Sequence, residues 1–190
     1  MKRIAIFASG SGSNAQKIIE HFSDDGDIEI SLILTNNEKA YVLERATDAG
    51  VPAYVFDREL LYNSSKVHDI LNEIGIDFIV LAGFLWLVPL DILRSWPNRI
   101  VNIHPALLPK FGGKGMYGDK VHKAVIEAGE KNTGISIHYV NEKYDEGEII
   151  FQKSFEISKD DTPETVAERI HVLEHKHFPL VIEKLVKDLQ

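Results

Sequence analysis

The sequence predicts an α/β fold: a Rossmann-like, mostly parallel twisted sheet with helices on both faces, continued by an antiparallel hairpin and a long C-terminal helix. Three observations predict it. Short apolar, β-branched runs alternate with segments of helical spacing from Ile4 to Ile103, the rhythm of parallel strands joined by right-handed crossovers. The first run ends in a glycine-serine loop that opens a helix. Beyond Gly134 two strand-like runs flank a polar tip, and a helix start signal follows them.

Ile4 to Ala8 is the first strand, and Asn14 to Phe22 has helical spacing with Ile18, Ile19 and Phe22 on one side. Ile28 to Leu34 is the next strand. Lys39 to Ala49 is a helix closed by Gly50, with Pro52 just beyond as the usual stop. Ala53 to Phe56 is a third strand, Lys66 to Ile74 a helix ended by Gly75, and Phe78 to Leu81 an apolar strand of the kind buried on both faces. Ile100 to Ile103 continues the sheet. Phe111 to Gly118 holds four glycines and reads as a mobile loop, and Lys120 to Ala128 is helical with Gly129 as its stop. Ile135 to Val140 and Glu148 to Phe155 bracket the segment from Asn141 to Gly147 as a hairpin with a long tip. Thr162-Pro163-Glu164 offers an N-cap, a first-turn proline and a first-turn acid for a helix to about Leu189, which Pro179 could interrupt.

Composition narrows the function classes. Net charge is −8 and no dense lysine-arginine cluster exists, so nucleic acid is not the expected partner. A small anion can still be held locally by backbone amides. The absence of cysteine rules out disulfides, a thiolate nucleophile and a cysteine zinc site. The longest apolar stretch, Phe78 to Leu90, is too short and too interrupted to cross a bilayer. Met1-Lys2-Arg3 begins like a signal peptide, but the apolar run behind it breaks at Ser9-Gly10-Ser11-Gly12-Ser13. No export signal is read, and a cytoplasmic location is expected.

Asn102 and His104 stand two apart at the end of an apolar run, and side chains two apart on an extended chain share a face. Pro105 cannot continue a central strand, so the pair belongs at the strand's carboxyl end, where open α/β sheets place their ligands. Asp145, in Tyr144-Asp145-Glu146-Gly147, adds a carboxylate. Together the three supply what acyl transfer needs: an oxyanion donor, an acid/base and an orienting carboxylate. No serine or cysteine stands beside His104, so the substrate itself must be the nucleophile. The plainer alternative is a buried polar trio that only braces the sheet.

Ser9-Gly10-Ser11-Gly12-Ser13-Asn14-Ala15 fits a dinucleotide fingerprint. A dinucleotide site also wants an acid after the second strand, where this chain has Leu34-Thr35-Asn36-Asn37. A mononucleotide or sugar-phosphate site is the favoured reading, with Gly12, Ser13 and Asn14 aimed at one phosphate. An NAD-dependent oxidoreductase and a turn that merely needs glycines are the alternatives. His171-Val172-Leu173-Glu174-His175 spells H-x-x-E-H, but no third ligand accompanies it, so no metal is expected. His21, His68, His122 and His177 show no partner in sequence and are expected at the surface or in helix packing.

The chain resembles the phosphoribosylglycinamide formyltransferases, within the wider folate-dependent formyltransferase group. The resemblance runs almost end to end, through Gly10-Ser11-Gly12-Ser13-Asn14, Leu81-Ala82-Gly83-Phe84, the run from Asn102 to Pro109, the run from Gly134 to Val140, the run from Asp145 to Ile150, and Glu174-His175. It implies that 10-formyltetrahydrofolate donates a formyl group to the amine of glycinamide ribonucleotide, a step of purine synthesis. By position, Gly12, Ser13 and Asn14 would hold the ribose phosphate and Glu174 the ribose hydroxyls. Leu85, Trp86, Leu87 and Val88 would line the pterin pocket, with Asn102 beside it and the segment through Asn141, Glu142 and Asp145 along its other side. Residues 1–100 would form a phosphate-binding half and 101–190 a catalytic and folate-binding half of one domain.

The resemblance further implies direct transfer, with Asn102 and a protonated His104 stabilising the oxyanion. Asp145 is expected to raise the His104 pKa by its negative charge and to assist proton transfer to the leaving folate nitrogen. The implied partners are small molecules, with no metal, in a monomer or homodimer. Trp86 stands where some members carry an arginine, Ala106 replaces a common serine, and the loop from Gly112 to Gly118 is longer than in many relatives. The rivals are a methionyl-tRNA formyltransferase, a formyltetrahydrofolate hydrolase and a non-catalytic sugar-phosphate sensor.

Overall fold

The computed structural model describes residues 1–189. Seven strands, β1 (Lys2–Phe7), β2 (Ile28–Thr35), β3 (Ala53–Val55), β4 (Phe78–Leu81), β5 (Ile100–His104), β6 (Asn132–Tyr139) and β7 (Ile149–Glu156), form one sheet in the order β3-β2-β1-β4-β5-β6-β7. The first five run parallel, and β6 and β7 continue the sheet antiparallel. The expected fold class is therefore the observed one.

Strand composition explains the layering. In β1, Ile4 and Ile6 point to one core and Ala5 and Phe7 to the other, so the strand is apolar throughout because both faces are covered. The first core is closed by α1 (Ser13–Phe22), α2 (Val42–Asp48) and α7 (Pro163–Lys187). The second is closed by α3 (Arg58–Tyr62), α4 (Lys66–Ile74) and α5 (Leu90–Ser95). Ile4, Ile6, Ile33 and Ile79 are completely buried, each contributing about 1.5–3 kcal/mol. A small satellite core joins Ala106 to Val121 and Val125 of α6 (Asp119–Glu127).

Several boundaries differ from expectation for local reasons. The second helix starts at Val42 rather than Lys39 because Asn37 forms a turn first, its Oδ1 accepting from the Lys39 N–H at 3.0 Å. The short helices α3 and α5 add to the expected elements, since five or six residues are too few to show a period in sequence. Asp57 caps α3 by accepting from the Leu60 N–H at 2.9 Å. The long helix begins where Thr162 directs, in a reciprocal capping box with Thr165. It continues through Pro179, where burial of Phe178, Pro179 and Ile182 offsets the missing helical hydrogen bond. Among the described residues no helix is long and apolar enough to cross a membrane.

The winding of the sheet reverses between β1 and β4, with β2 and β3 on one side and β5 on the other. Loops leaving the carboxyl ends of β1 and β4 therefore part in opposite directions. Such a switch point leaves a crevice for a ligand.

Candidate active site

A cavity of about 570 Å³ opens over the carboxyl ends of β1, β4 and β5. Its walls are Gly10–Asn14 behind β1, Ala82–Leu85 behind β4, Asn102–Pro105 ending β5, the glycine-rich stretch Gly113–Gly118, and His122, His171 and Glu174 from α6 and α7.

At one end lies the glycine-serine loop. Gly12 caps α1 in the left-handed conformation, φ 69° and ψ 26°. A Cβ there would meet Val42 Cγ2 at 2.5 Å, so both backbone and space demand glycine. The loop is tied on either side: the Val42 N–H donates to Gly10 O at 3.2 Å, and Arg45 Nε donates to Ser11 O at 2.8 Å. Across the cavity, Glu174 is buried and its Oε2 accepts from Asn14 Nδ2 at 2.9 Å. His171 Nδ1 lies 3.1 Å from the same oxygen, and the hydrogen bond to this carboxylate pushes the His171 pKa up. Among the described residues Glu174 Oε1 makes no hydrogen bond, which leaves it for a ligand hydroxyl.

At the other end Asn102, His104 and Asp145 converge. Asn102 sits on β5 opposite His138 of β6, and His104 opposite Ser136. Asp145 reaches them from the β6–β7 connection in a left-handed backbone, φ 55°. Its Oδ1 accepts from Asn102 Nδ2 at 3.3 Å, and its Oδ2 accepts from the Gly113 N–H at 2.9 Å and lies 3.5 Å from His104 Nδ1. Burial raises the Asp145 pKa, but the adjoining His138 and His104 rings and the Gly113 N–H outweigh it and hold the group below the ordinary carboxylate range. His104 Nε2 donates to Phe111 O at 2.7 Å, since a carbonyl only accepts. By the same logic His138 Nδ1 donates to Tyr139 O at 2.8 Å, so its Nε2 accepts from Asn102 Nδ2 at 3.1 Å.

The net His104 shift is opposite to the expected one. Asp145 does raise its pKa, but burial of the imidazole, at 3% exposure, lowers it by more. His104 is neutral at rest. The segment behind it is braced from below by the buried Ser136, whose hydroxyl donates to Ala106 O at 2.7 Å and accepts from the Leu108 N–H at 2.9 Å.

The cavity thus brings together Gly12, Ser13, Asn14, Leu85, Asn102, His104, Asp145 and Glu174. Five other residues of interest lie outside its wall. Trp86 packs against Phe56 and Phe84, with the Arg58 guanidinium 4.6 Å above its ring. Leu87 O accepts from Tyr62 Oη at 2.9 Å, and Val88 is buried in the second core. Asn141 and Glu142 are exposed at the hairpin tip, where Asn141 Oδ1 accepts from the Lys143 N–H. Sequence reasoning missed two cavity residues, His122 and His171, as binding groups. For His122 a signal existed: Val121, His122 and Val125 share the buried side of α6. Among the described residues no group of three or more metal-ligating side chains converges.

Residues 2–182 match the family described as formyl transferase. A chloroplastic protein of Arabidopsis thaliana named phosphoribosylglycinamide formyltransferase is 43% identical over 98% of this chain, which spans only 66% of that protein, just under two thirds. A Bacillus subtilis protein of the same name is 37% identical over 98% of this chain and 95% of its own length. The crystal structure of glycinamide ribonucleotide transformylase 1 from Symbiobacterium toebii superimposes with a TM-score of 0.89 at 34% identity, covering 98% of this chain and 88% of that one. With the family match running from the first strand into the last helix, in a chain of the same fold, the chain belongs to the formyl transferase family.

Proposed function

We propose that the protein is a phosphoribosylglycinamide formyltransferase: it transfers the formyl group of 10-formyltetrahydrofolate to the amine of glycinamide ribonucleotide in purine synthesis. The observation that carries this reading is the juxtaposition, in one cavity, of a phosphate-type loop at Gly12–Asn14 with the Asn102, His104 and Asp145 trio. A sensor needs only the first, and a hydrolase needs no sugar-phosphate end. Residues 1–100 supply the phosphate-binding half, and 101–190 the catalytic and folate-binding half, of one domain. The partners are small molecules and not nucleic acid, no metal takes part, and the protein works in the cytoplasm as a monomer or homodimer.

The substrate phosphate lies on the amides and hydroxyls of Gly12, Ser13 and Asn14, and Glu174 Oε1 accepts from a ribose hydroxyl. The folate lies against Leu85 and the chain through Trp86, Leu87 and Val88, with Asn141 and Glu142 along its other side. The amine attacks the formyl carbon, and charge develops on the formyl oxygen. Asn102 meets it with the amide hydrogen that now makes the longer of its two bonds, 3.3 Å to Asp145. His104 is neutral at rest. Negative charge arriving beside it raises its proton affinity, so it takes up the proton the amine loses and returns one to the leaving folate nitrogen. Asp145 stays ionised, and its Oδ2, 3.5 Å from His104 Nδ1, stabilises the imidazolium that forms.

The test is formyl transfer by the purified protein, followed by absorbance of the released folate, beside a His104→Ala control. Turnover that needs both substrates and falls at least about a hundredfold in the control supports the proposal. Formate release without the amine acceptor identifies a hydrolase, and binding without turnover a sensor.

A further inference from the structure

We propose that His122 is a further substrate-positioning residue, whose ring Nε2–H donates to an oxygen of the sugar phosphate held between the β1 loop and α7. This rests on the sugar-phosphate reading of the cavity given above. His122 is carried by α6, only 3% exposed, yet it forms part of the cavity wall. Its Nδ1 is sealed inside the protein with no partner, and among the described residues neither ring nitrogen makes a hydrogen bond.

The polar side chains around it are differently placed. Glu174 accepts from Asn14 and His171, His104 donates to Phe111 O, and Asp145 accepts from Gly113. Among the described residues His122 is the ring of this wall with no hydrogen bond at either nitrogen, and Asn14 Oδ1 of the same wall also lacks a partner. The sealed Nδ1 stays unpaired in the interior, and Nε2, on the ring edge at the cavity wall, is the nitrogen that a ligand can complete. The charged or titratable groups facing it are Glu174 and His171 of α7, Asp119 of α6 and His104 of β5. Burial holds the imidazole neutral despite the Glu174 carboxylate. A neutral ring carries one N–H, and placing it on the sealed Nδ1 would bury an unpaired donor, so it belongs on Nε2, the nitrogen left to the cleft.

The acceptor is an oxygen of the phosphate or of the ribose, and binding measurements separate the two. Calorimetry with ribose 5-phosphate, inorganic phosphate and glycinamide ribonucleotide is run on the wild type, His122→Leu and His122→Gln. The expected result is a Kd for ribose 5-phosphate weakened about tenfold or more in His122→Leu, with the KM for the formyl folate within twofold of wild type. His122→Gln, which keeps an N–H donor at similar reach, recovers most of the loss. Matching weakening for inorganic phosphate assigns the contact to the phosphate, and an effect on ribose 5-phosphate alone assigns it to the ribose. Wild-type affinity in a folded His122→Leu protein overturns the inference.

Where the leucine variant does not fold, the wild type alone decides. Its His122 Nε2–H resonance is expected to move downfield and become protected from exchange when ribose 5-phosphate is added. A resonance unchanged at saturation overturns the inference. A wild type that binds no sugar phosphate at all overturns the proposed function itself, whereas sugar-phosphate binding indifferent to His122 overturns only this step.

Discussion

Replacing Asp145 by asparagine keeps its shape and removes its charge, which isolates what the carboxylate contributes. Its side chain is 11% exposed, so screening by water is weak. Asp145 Oδ2 lies 3.5 Å from His104 Nδ1, and two unit charges at this range attract by about 4 kcal/mol at an effective dielectric of 20. A transition state in which His104 is protonated loses up to that amount, about a thousandfold in rate. Positioned acid–base groups contribute about 10²–10⁴-fold, in agreement. The variant's amide also turns an NH₂ toward either the Gly113 N–H or Asn102 Nδ2, which now sit 2.9 and 3.3 Å from carboxylate oxygens. One donor is left facing another, at a cost of about 1–3 kcal/mol of stability. We therefore expect kcat to fall by about 10²–10³-fold with little change in KM for the sugar phosphate, which binds at the Gly12 end. Steady-state kinetics with both substrates, paired with urea unfolding at pH 7, make the measurement. A folded variant with kcat within about tenfold of wild type would refute the assignment of Asp145 to proton transfer.

Gly12→Ala forces a Cβ into Val42 at 2.5 Å and a left-handed backbone onto alanine, so stability should drop by about 1–3 kcal/mol. The KM for glycinamide ribonucleotide should rise at least about tenfold while kcat at saturation changes little. An unaltered KM would show that this loop does not hold the phosphate. The histidines predict acid sensitivity. His104, His122 and His175 have pKa values lowered first of all by burial, so below about pH 6.5 the unfolded chain binds protons that the folded protein refuses. Stability is fully present above that pH and falls as pH drops toward the folded pKa values, by up to about 1.4 kcal/mol per histidine per pH unit. His171 has the opposite sign, its contribution being lost as pH rises, but it is half-exposed and counts for less. Urea unfolding at pH 7.0 and 5.5 checks the balance, and equal or greater stability at the lower pH would contradict it.

Much of this architecture was legible in the sequence because its signals are local. Glycine-serine residues behind an apolar run mark the β1 loop, and the two-residue spacing of Asn102 and His104 fixes their shared side of β5. Asp145 was legible as a motif residue, but its approach to His104 depends on antiparallel β5–β6 pairing and the return of β7, which alternation alone does not specify. The direction of the His104 shift is not legible in the sequence, which displays the charge of a neighbour and hides the depth of burial. His122 is hidden in the sequence for a related reason. A histidine beside two buried valines looks like helix packing until the helix is docked and one edge of the ring is seen to meet the cavity.

The hydrogen bond from Asn14 to Glu174 joins residues 160 positions apart. During synthesis the interval between them is roughly 10–30 s at ordinary ribosomal rates. Helix α1, which carries Asn14, and the parallel strands beside it have emerged long before α7 arrives to close the wall opposite them. The pocket is complete only once α7 has docked on the first core, so the capacity to capture a sugar phosphate becomes a stopwatch for that late step of folding.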